Sequence, residues 1–152
     1  MSDSSKGKDI ISALGNVSTG EKAKDIFKKY MDDEQFAKIS KLKNEEALKK
    51  IANSIVLCNP DSVFVNTGSP EDKAFIRKLS IKKGEEAPLA MDGHTIHFDL
   101  AKEQGRIVDR TFYIADPEDQ VSSLANRMDR PTALDEVKSN MKDIMKGKVM
   151  IV

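Results

Sequence analysis

The feature that most constrains the fold is a short apolar run, KVMIV, at residues 148–152. Valine and isoleucine are β-branched and favour extended backbone, so this run predicts a strand. An unpaired strand of this character would expose an adhesive edge, and we therefore expect it to pair within a sheet. Chain termini are usually polar and loosely held. The run accordingly gives the expectation that the sequence is cut within a larger fold.

Helical periodicity dominates the first third of the sequence. Apolar residues recur at helical spacing in two groups, which are Ala23, Ile26, Phe27 and Tyr30, then Ala47, Leu48, Ile51, Ala52 and Ile55. Asn44 is a suitable N-cap for the second helix, and Pro60 ends it. We expect a helical N-terminal extension over residues 1–40 and a main domain over residues 41–152.

The remaining sequence mixes strand and helix patterns. Residues 63–66, "HTIHF" and "RTFYIA" (110–115) predict strands. Helices are predicted at 70–82 with an apolar face of Ala74, Phe75 and Leu79, after Pro117, and over about 132–145 from a Thr132 cap, with Gly84 and Gly147 as terminators. The predicted class is α/β, a mixed β-sheet flanked by helices.

The stretch TGSPED, residues 67–72, has the layout of a phosphate-binding turn between a strand and a helix. Ser69 would be the N-cap, Pro70 the first helical residue, and Asp72 the acid that reaches back towards the cap. Glu71 and Asp72 would repel a phosphate and compete for its donors. We therefore interpret this turn as a helix cap and not as an anion site.

The stretch GHTIHFD, residues 93–99, raises the question of a metal site. On a strand His94 and His97 point to opposite faces, whereas His97 and Asp99 share one. Two ligands make only half a site, and no further histidine or cysteine cluster completes it. We predict no metal site.

Arg106 follows Gly105 and precedes an apolar stretch, with Asp109 and Arg110 close behind. An arginine beside a glycine at a loop-to-strand junction suits bidentate recognition of a carboxylate or phosphate. A surface arginine paired with Asp109 or Glu103 is the alternative, and spacing leaves both open.

Composition excludes several classes of protein. The 152 residues fit one domain, with 39% hydrophobic and 33% charged residues and a formal net charge of zero. Balanced charge gives no general reason to expect nucleic acid or an anionic membrane as a partner, and no apolar run is long enough to span a bilayer. Cys58 is the single cysteine, which excludes an internal disulfide and indicates a reduced, cytoplasmic protein. We interpret Cys58 as a small buried hydrophobe.

Four stretches together resemble the GTP-dependent phosphoenolpyruvate carboxykinases, particularly the archaeal branch. They are NPDSVFVNTGSPED, PLAMDGHTIHFD, GRIVDRTFYI and MKDIMKGKVMIV, in the family's order over roughly residues 59–152. The resemblance implies a lyase of gluconeogenesis that converts oxaloacetate and GTP to phosphoenolpyruvate, GDP and carbon dioxide with manganese or magnesium. It also implies that Arg106 binds the substrate carboxylate.

The sequence departs from the family pattern in two respects. Gly105 replaces an expected alanine, and Val108 stands where many members carry an acid, with Asp109 one place later. The family's nucleotide loop and metal ligands would lie beyond the KVMIV run. We therefore expect an N-terminal substrate-binding domain that is inactive alone and joins a C-terminal catalytic domain in cis, or in trans in a split enzyme. A stand-alone, non-catalytic binding module is the alternative.

Overall fold

The computed structural model describes residues 15–99 and 107–152, which form an α/β fold of helices and short strands. The chain divides into two compact units. The helical unit comprises Met1–Val65 with Arg130–Val152, and the hairpin unit comprises Asn66–Asp129. The predicted α/β class is confirmed. Within the described ranges, no helix is long and apolar enough to cross a membrane.

Three capped helices open the helical unit: α1 (Gly20–Tyr30), α2 (Asp33–Ile39) and α3 (Glu45–Cys58). Each begins after a residue whose side chain accepts a hydrogen bond from the first turn, and these N-caps are Thr19, Asp32 and Asn44. A capping oxygen satisfies a backbone N–H that has no partner within the helix. The predicted Asn44 cap is confirmed, since its Oδ1 lies 3.1 Å from the amide nitrogen of Ala47.

The hydrophobic core lies where α1 packs against α3. Phe27 and Ile55 are its largest fully buried apolar side chains, and Ile39 and Leu48 join them. The predicted helical faces are thus confirmed, because their spacing places Ala23 and Phe27 on the buried side of α1. Side chains from both sides of position 40 share this core, while the domain boundary predicted there stays a prediction.

A buried asparagine attaches the segment before α1 to this core. Asn53 on α3 is fully buried, and its amide bonds both polar backbone groups of Val17. The Val17 N–H donates to Asn53 Oδ1 at 2.8 Å, and Asn53 Nδ2 donates to the Val17 carbonyl oxygen at 3.1 Å. The approach requires a glycine nearby, because a Cβ on Gly15 would lie 2.3 Å from Asn53 Oδ1. A single side chain therefore satisfies two backbone groups that a neighbouring strand would otherwise bond.

The apolar run at the end of the sequence forms a strand, as predicted. Strand β6 (Val149–Ile151) pairs in parallel with β1 (Ser62–Phe64), with Val63 opposite Met150. Val63 and Val65 are buried in the helical core, and Met150 packs against it. The pairing covers one edge of the run and buries part of its apolar surface.

Helix α5 (Arg130–Met141) starts and ends earlier than the predicted range of 132–145. Thr132 lies in its first turn and is not the N-cap. Asp143 adopts a left-handed conformation, with φ of 58°, which ends helical geometry before the predicted stop at Gly147. This conformation is held by Asn59, also left-handed, whose Nδ2 donates to Asp143 Oδ1 at 2.9 Å.

The hairpin unit contains helix α4 (Pro70–Lys83) and four short strands. Strands β2 (Ala87–Pro88) and β3 (Thr95–Ile96) pair antiparallel, whereas β4 (Tyr113–Ala115) and β5 (Arg127–Asp129) pair in parallel. Gly84 ends α4 in the left-handed conformation, as predicted. The apolar face predicted on α4 is present but is not buried, since Ala74 and Phe75 are exposed. Periodicity identifies the face, but burial needs a covering element.

No helix begins at Pro117, so that prediction is wrong. Pro117 and Glu118 form a turn, in which the Asp119 N–H donates to the Asp116 carbonyl oxygen at 3.0 Å. The Asp116 N–H in return donates to Asp119 Oδ2 at 2.7 Å. Two aspartates flanking a proline thus satisfy each other locally, which competes with helix formation.

Candidate functional site

The TGSPED stretch forms a self-contained helix cap. Ser69 Oγ accepts from the Asp72 N–H at 3.1 Å, as the sequence predicts. The Asp72 carboxylate reaches back past the cap to Thr67, where Oδ2 accepts from the backbone N–H at 2.8 Å and from the hydroxyl at 2.6 Å. Asp72 is only 4% exposed. A buried carboxylate therefore occupies the place where a phosphate would need donors.

His97 and Asp99 lie together, as the sequence predicts, although both lie beyond the end of β3. His97 Nε2 is 2.9 Å from Asp99 Oδ1, and His97 Nδ1 is 2.5 Å from the carbonyl oxygen of Glu85. Hydrogen bonding to Glu85, followed by the bond to Asp99, raises the pKa of His97 above its usual 6.5. Both contacts favour the charged imidazolium.

His97 lines an open cavity of about 450 Å³ in the hairpin unit. The lining residues come from the C-terminal half of α4, the turn that follows it, and β3 with the residue after it: Arg77, Ser80, Glu85, Glu86, Thr95 and His97. Arg77 attaches α4 to the hairpin, because Nη1 donates to the Gly93 carbonyl oxygen at 3.0 Å and to Thr95 Oγ1 at 3.2 Å. The cavity is therefore polar and has charges of both signs.

Glu86 is the most constrained carboxylate of this cavity. Hydrogen bonding from Thr95 and then Ser80 lowers its pKa, and the positive charge of Arg77 adds to the effect. Its second oxygen, Oε2, is buried without a hydrogen-bond partner in the part of the chain that the structure describes. The group stays ionised at neutral pH, and its negative charge offsets the positive charge of Arg77.

The cavity does not suit a metal ion. Across residues 15–99 and 107–152, no group of three or more histidine, cysteine, aspartate or glutamate side chains is placed to hold one. The cavity also contains Arg77, whose charge opposes a cation. His94 is exposed in the turn between β2 and β3 and does not line the cavity.

Arg106, the predicted substrate-binding residue, lies outside the described residues. The description resumes at Ile107, followed by a turn of 3-10 helix over Val108–Arg110. Asp109 and Arg110 are exposed there.

Cys58 is buried at the end of α3, in agreement with its interpretation as a small hydrophobe. Burial raises the pKa of its thiol. A raised pKa leaves little thiolate at neutral pH, so this cysteine is a poor nucleophile.

Sequence reasoning missed Arg77 and Glu86 as members of the same cluster as His97. Arg77 lies on α4, Glu86 follows its C-cap, and His97 follows β3. No short motif joins residues from three separate elements. The available signal was the position of Gly84. It ends the helix shortly before "HTIHF", so the end of the helix and the strand are neighbours along the chain.

Comparison with known proteins identifies the family. Residues 49–152 match the family model described as phosphoenolpyruvate carboxykinase N-terminal domain. The chain is 44% identical over 128 residues to "Phosphoenolpyruvate carboxykinase [GTP]" of Thermococcus sibiricus, covering 84% of this chain and 20% of the relative. For the protein of the same name from Sulfurisphaera tokodaii, identity is 40% over 122 residues, covering 80% of this chain and 20% of the relative.

The match is confined to one region of these relatives. The chain spans about a fifth of the length of the curated relatives that it matches. No solved structure gives a significant match. The resemblance stated from the sequence is confirmed over most of the chain, and this protein belongs to the phosphoenolpyruvate carboxykinase family, whose N-terminal domain it matches.

Proposed function

We propose that this chain is the substrate-binding N-terminal part of a GTP-dependent phosphoenolpyruvate carboxykinase, and that Arg106 binds the substrate carboxylate. The observation that carries the proposal is the match of residues 49–152 to the family's N-terminal domain, because Arg106 lies inside that range. The relatives named as GTP enzymes support the same nucleotide class.

The proposed reaction converts oxaloacetate and GTP to phosphoenolpyruvate, GDP and carbon dioxide in gluconeogenesis. A guanidinium is planar and always charged, so it holds a carboxylate through two parallel hydrogen bonds. Such a grip fixes the orientation of the reacting carbon atoms relative to the phosphoryl donor. Arg106 therefore contributes orientation and charge neutralisation, and the bond-making groups belong to the remainder of the enzyme.

The manganese or magnesium ion and the GTP are proposed to bind to that remainder. The described residues offer no cluster suited to a metal ion. A C-terminal catalytic domain, in cis or as a separate chain, is accordingly the proposed partner. The coverage of about a fifth of each relative supports this division.

The test is a chimera in which this chain replaces the matching N-terminal region of the Thermococcus sibiricus relative. We expect phosphoenolpyruvate formation by the chimera and none by this chain alone. Arg106→Ala should then lower kcat/KM for oxaloacetate roughly 30-fold or more, because a charge-assisted contact in a closed site is lost. This corresponds to a loss of about 2 kcal/mol or more of transition-state stabilisation. Steady-state kinetics with oxaloacetate and GTP measure this.

Arg110→Ala is the matched control, since Arg110 is an exposed arginine four positions later in the same stretch. It should leave kcat/KM within about twofold, as an exposed side chain away from special features does. Unchanged kinetics for Arg106→Ala would remove Arg106 from the substrate site. A folded but inactive chimera would contradict the assignment of this chain to a carboxykinase and favour the stand-alone module.

A further inference from the structure

The imidazole of His97 joins two parts of the hairpin unit that are separate in sequence. Its Nδ1 faces the Glu85 carbonyl oxygen at 2.5 Å, at the turn that follows α4. Its Nε2 faces Asp99 Oδ1 at 2.9 Å, beyond the end of β3. The ring thus bridges the two ends of the β2–β3 hairpin, in which Ala87 pairs with Ile96 and Pro88 with Thr95.

Both partners of the ring are acceptors. A backbone carbonyl has no proton to give, and an ionised carboxylate has none either. A neutral imidazole carries one N–H and can therefore satisfy only one of them, whereas an imidazolium carries two. We propose that His97 is a pH-operated clamp, closed as the imidazolium on Glu85 and Asp99 and opened when the ring loses a proton.

The surrounding charges support the closed state. Glu86 and Asp99 place carboxylates near the ring, and Glu86 lines the same cavity. Arg77, on α4, opposes them, but its Nη1 is committed to Gly93 and Thr95. The electrostatic effects of Asp99 and Glu86 on His97 both favour its charged form. The geometry and the charges therefore point in the same direction.

The side on which the clamp opens follows from the strength of the two bonds. A hydrogen bond to a carboxylate is charge-assisted and stronger than one to a neutral carbonyl. The remaining proton should therefore stay on Nε2, towards Asp99. Nδ1 then presents a lone pair to the Glu85 oxygen, and the two atoms repel. Opening releases the Glu85 end, beside the C-terminus of α4.

The direction of the pH dependence is fixed by the raised pKa of His97 in the folded chain. The clamp is fully closed below the unfolded value of 6.5, where the ring is charged in both states. Its contribution is lost as the pH rises through the higher folded value. The hairpin should consequently be tighter at mildly acidic pH than at alkaline pH.

Nuclear magnetic resonance titration of the 152-residue chain tests the closed state. The chain has two histidines, so His94→Gln leaves His97 as the single imidazole to be observed. We expect a pKa above 6.5, and a lower one in the His94→Gln, Asp99→Asn double variant. A value at or below 6.5, or one that Asp99→Asn leaves unchanged, would overturn the clamp.

Imidazole ¹⁵N shifts and amide hydrogen exchange test the open state. Above the His97 pKa we expect the Nε2–H tautomer, and a fall in the protection factor of the Leu89 amide, which donates to the His94 carbonyl oxygen at 2.9 Å. His97→Gln should make that protection low and independent of pH. The Met31 amide, bonded to the Phe27 carbonyl oxygen in the helical unit, is the control and should not follow the titration.

The Nδ1–H tautomer at alkaline pH would contradict the proposed side of opening. Equal protection of Leu89 on both sides of the titration would show that the imidazole does not control the hairpin. Neither result depends on catalysis, so the clamp and the proposed carboxykinase role stand or fall separately.

Discussion

Each of the two units of this chain is stabilised internally by a different kind of interaction. The helical unit buries a contiguous apolar cluster that includes Phe27, Ile55 and Val63. Among the described residues of the hairpin unit, only Asp72 and Ala115 are buried, while large apolar side chains such as Phe98 and Leu124 are exposed at 78% and 96%. Burial of apolar area dominates folding stability. The helical unit therefore contributes most of the folding stability of the chain, whereas the hairpin unit depends on polar contacts.

The largest expected effect breaks the helical unit. Phe27→Ala removes a fully buried aromatic ring and should lower the free energy of unfolding by about 3–5 kcal/mol. Chemical denaturation followed by circular dichroism measures it. The matched control is Phe98→Ala, which should change stability by less than about 0.5 kcal/mol because its ring is exposed. Equal losses for the two variants would refute the contrast between the units.

A smaller effect is expected where the helical unit uses a polar contact in its core. Asn53→Ala leaves the N–H and carbonyl of Val17 without their partner, at a total cost of about 1–3 kcal/mol. Denaturation again gives the total, and hydrogen exchange at Val17 localises it. Asn140→Ala, on the exposed face of α5, is the control. Retained slow exchange at Val17 in Asn53→Ala would show that this contact is dispensable.

The smallest expected effect concerns the hairpin unit alone. Ser69→Ala removes the N-cap of α4 and should cost about 1 kcal/mol locally. Because the hairpin unit contributes little apolar burial, we expect faster hydrogen exchange in α4 with no change in the midpoint of global denaturation. Ser139→Ala, at an exposed position inside α5, is the control. A shifted global midpoint would mean that the two units unfold together.

Local chemistry accounts for what the sequence predicted correctly. The Asn44 and Ser69 caps follow from side chains that bond backbone groups three residues away. The strand at Val149–Ile151 follows from its β-branched, apolar composition. Such signals lie within a few neighbouring residues, so the local sequence is enough to predict these elements.

Signals that need a distant partner were missed. The sequence around Asn53 predicts only a helical residue, and its role appears once Val17 is known to lie beside it. The exposure of Phe75 depends on neighbouring elements that the helical period does not specify. In the candidate site, strand alternation predicts that His97 and Asp99 share a face, and the two side chains do meet, although both lie beyond the end of β3. The roles of Glu85, Glu86 and Arg77 require α4 to be positioned against the hairpin, which no local pattern determines.

The parallel pairing of β1 with β6 has a consequence for the order of folding. The entire hairpin unit is synthesised between these two strands, so the contact of Val63 with Met150 closes a very long loop. Loop-closure entropy grows with chain length, and such contacts form late. Helices α1 and α3 are separated only by the short helix α2 and can collapse first around Phe27 and Ile55. Val63 therefore gains its strand partner only after the hairpin unit has been synthesised.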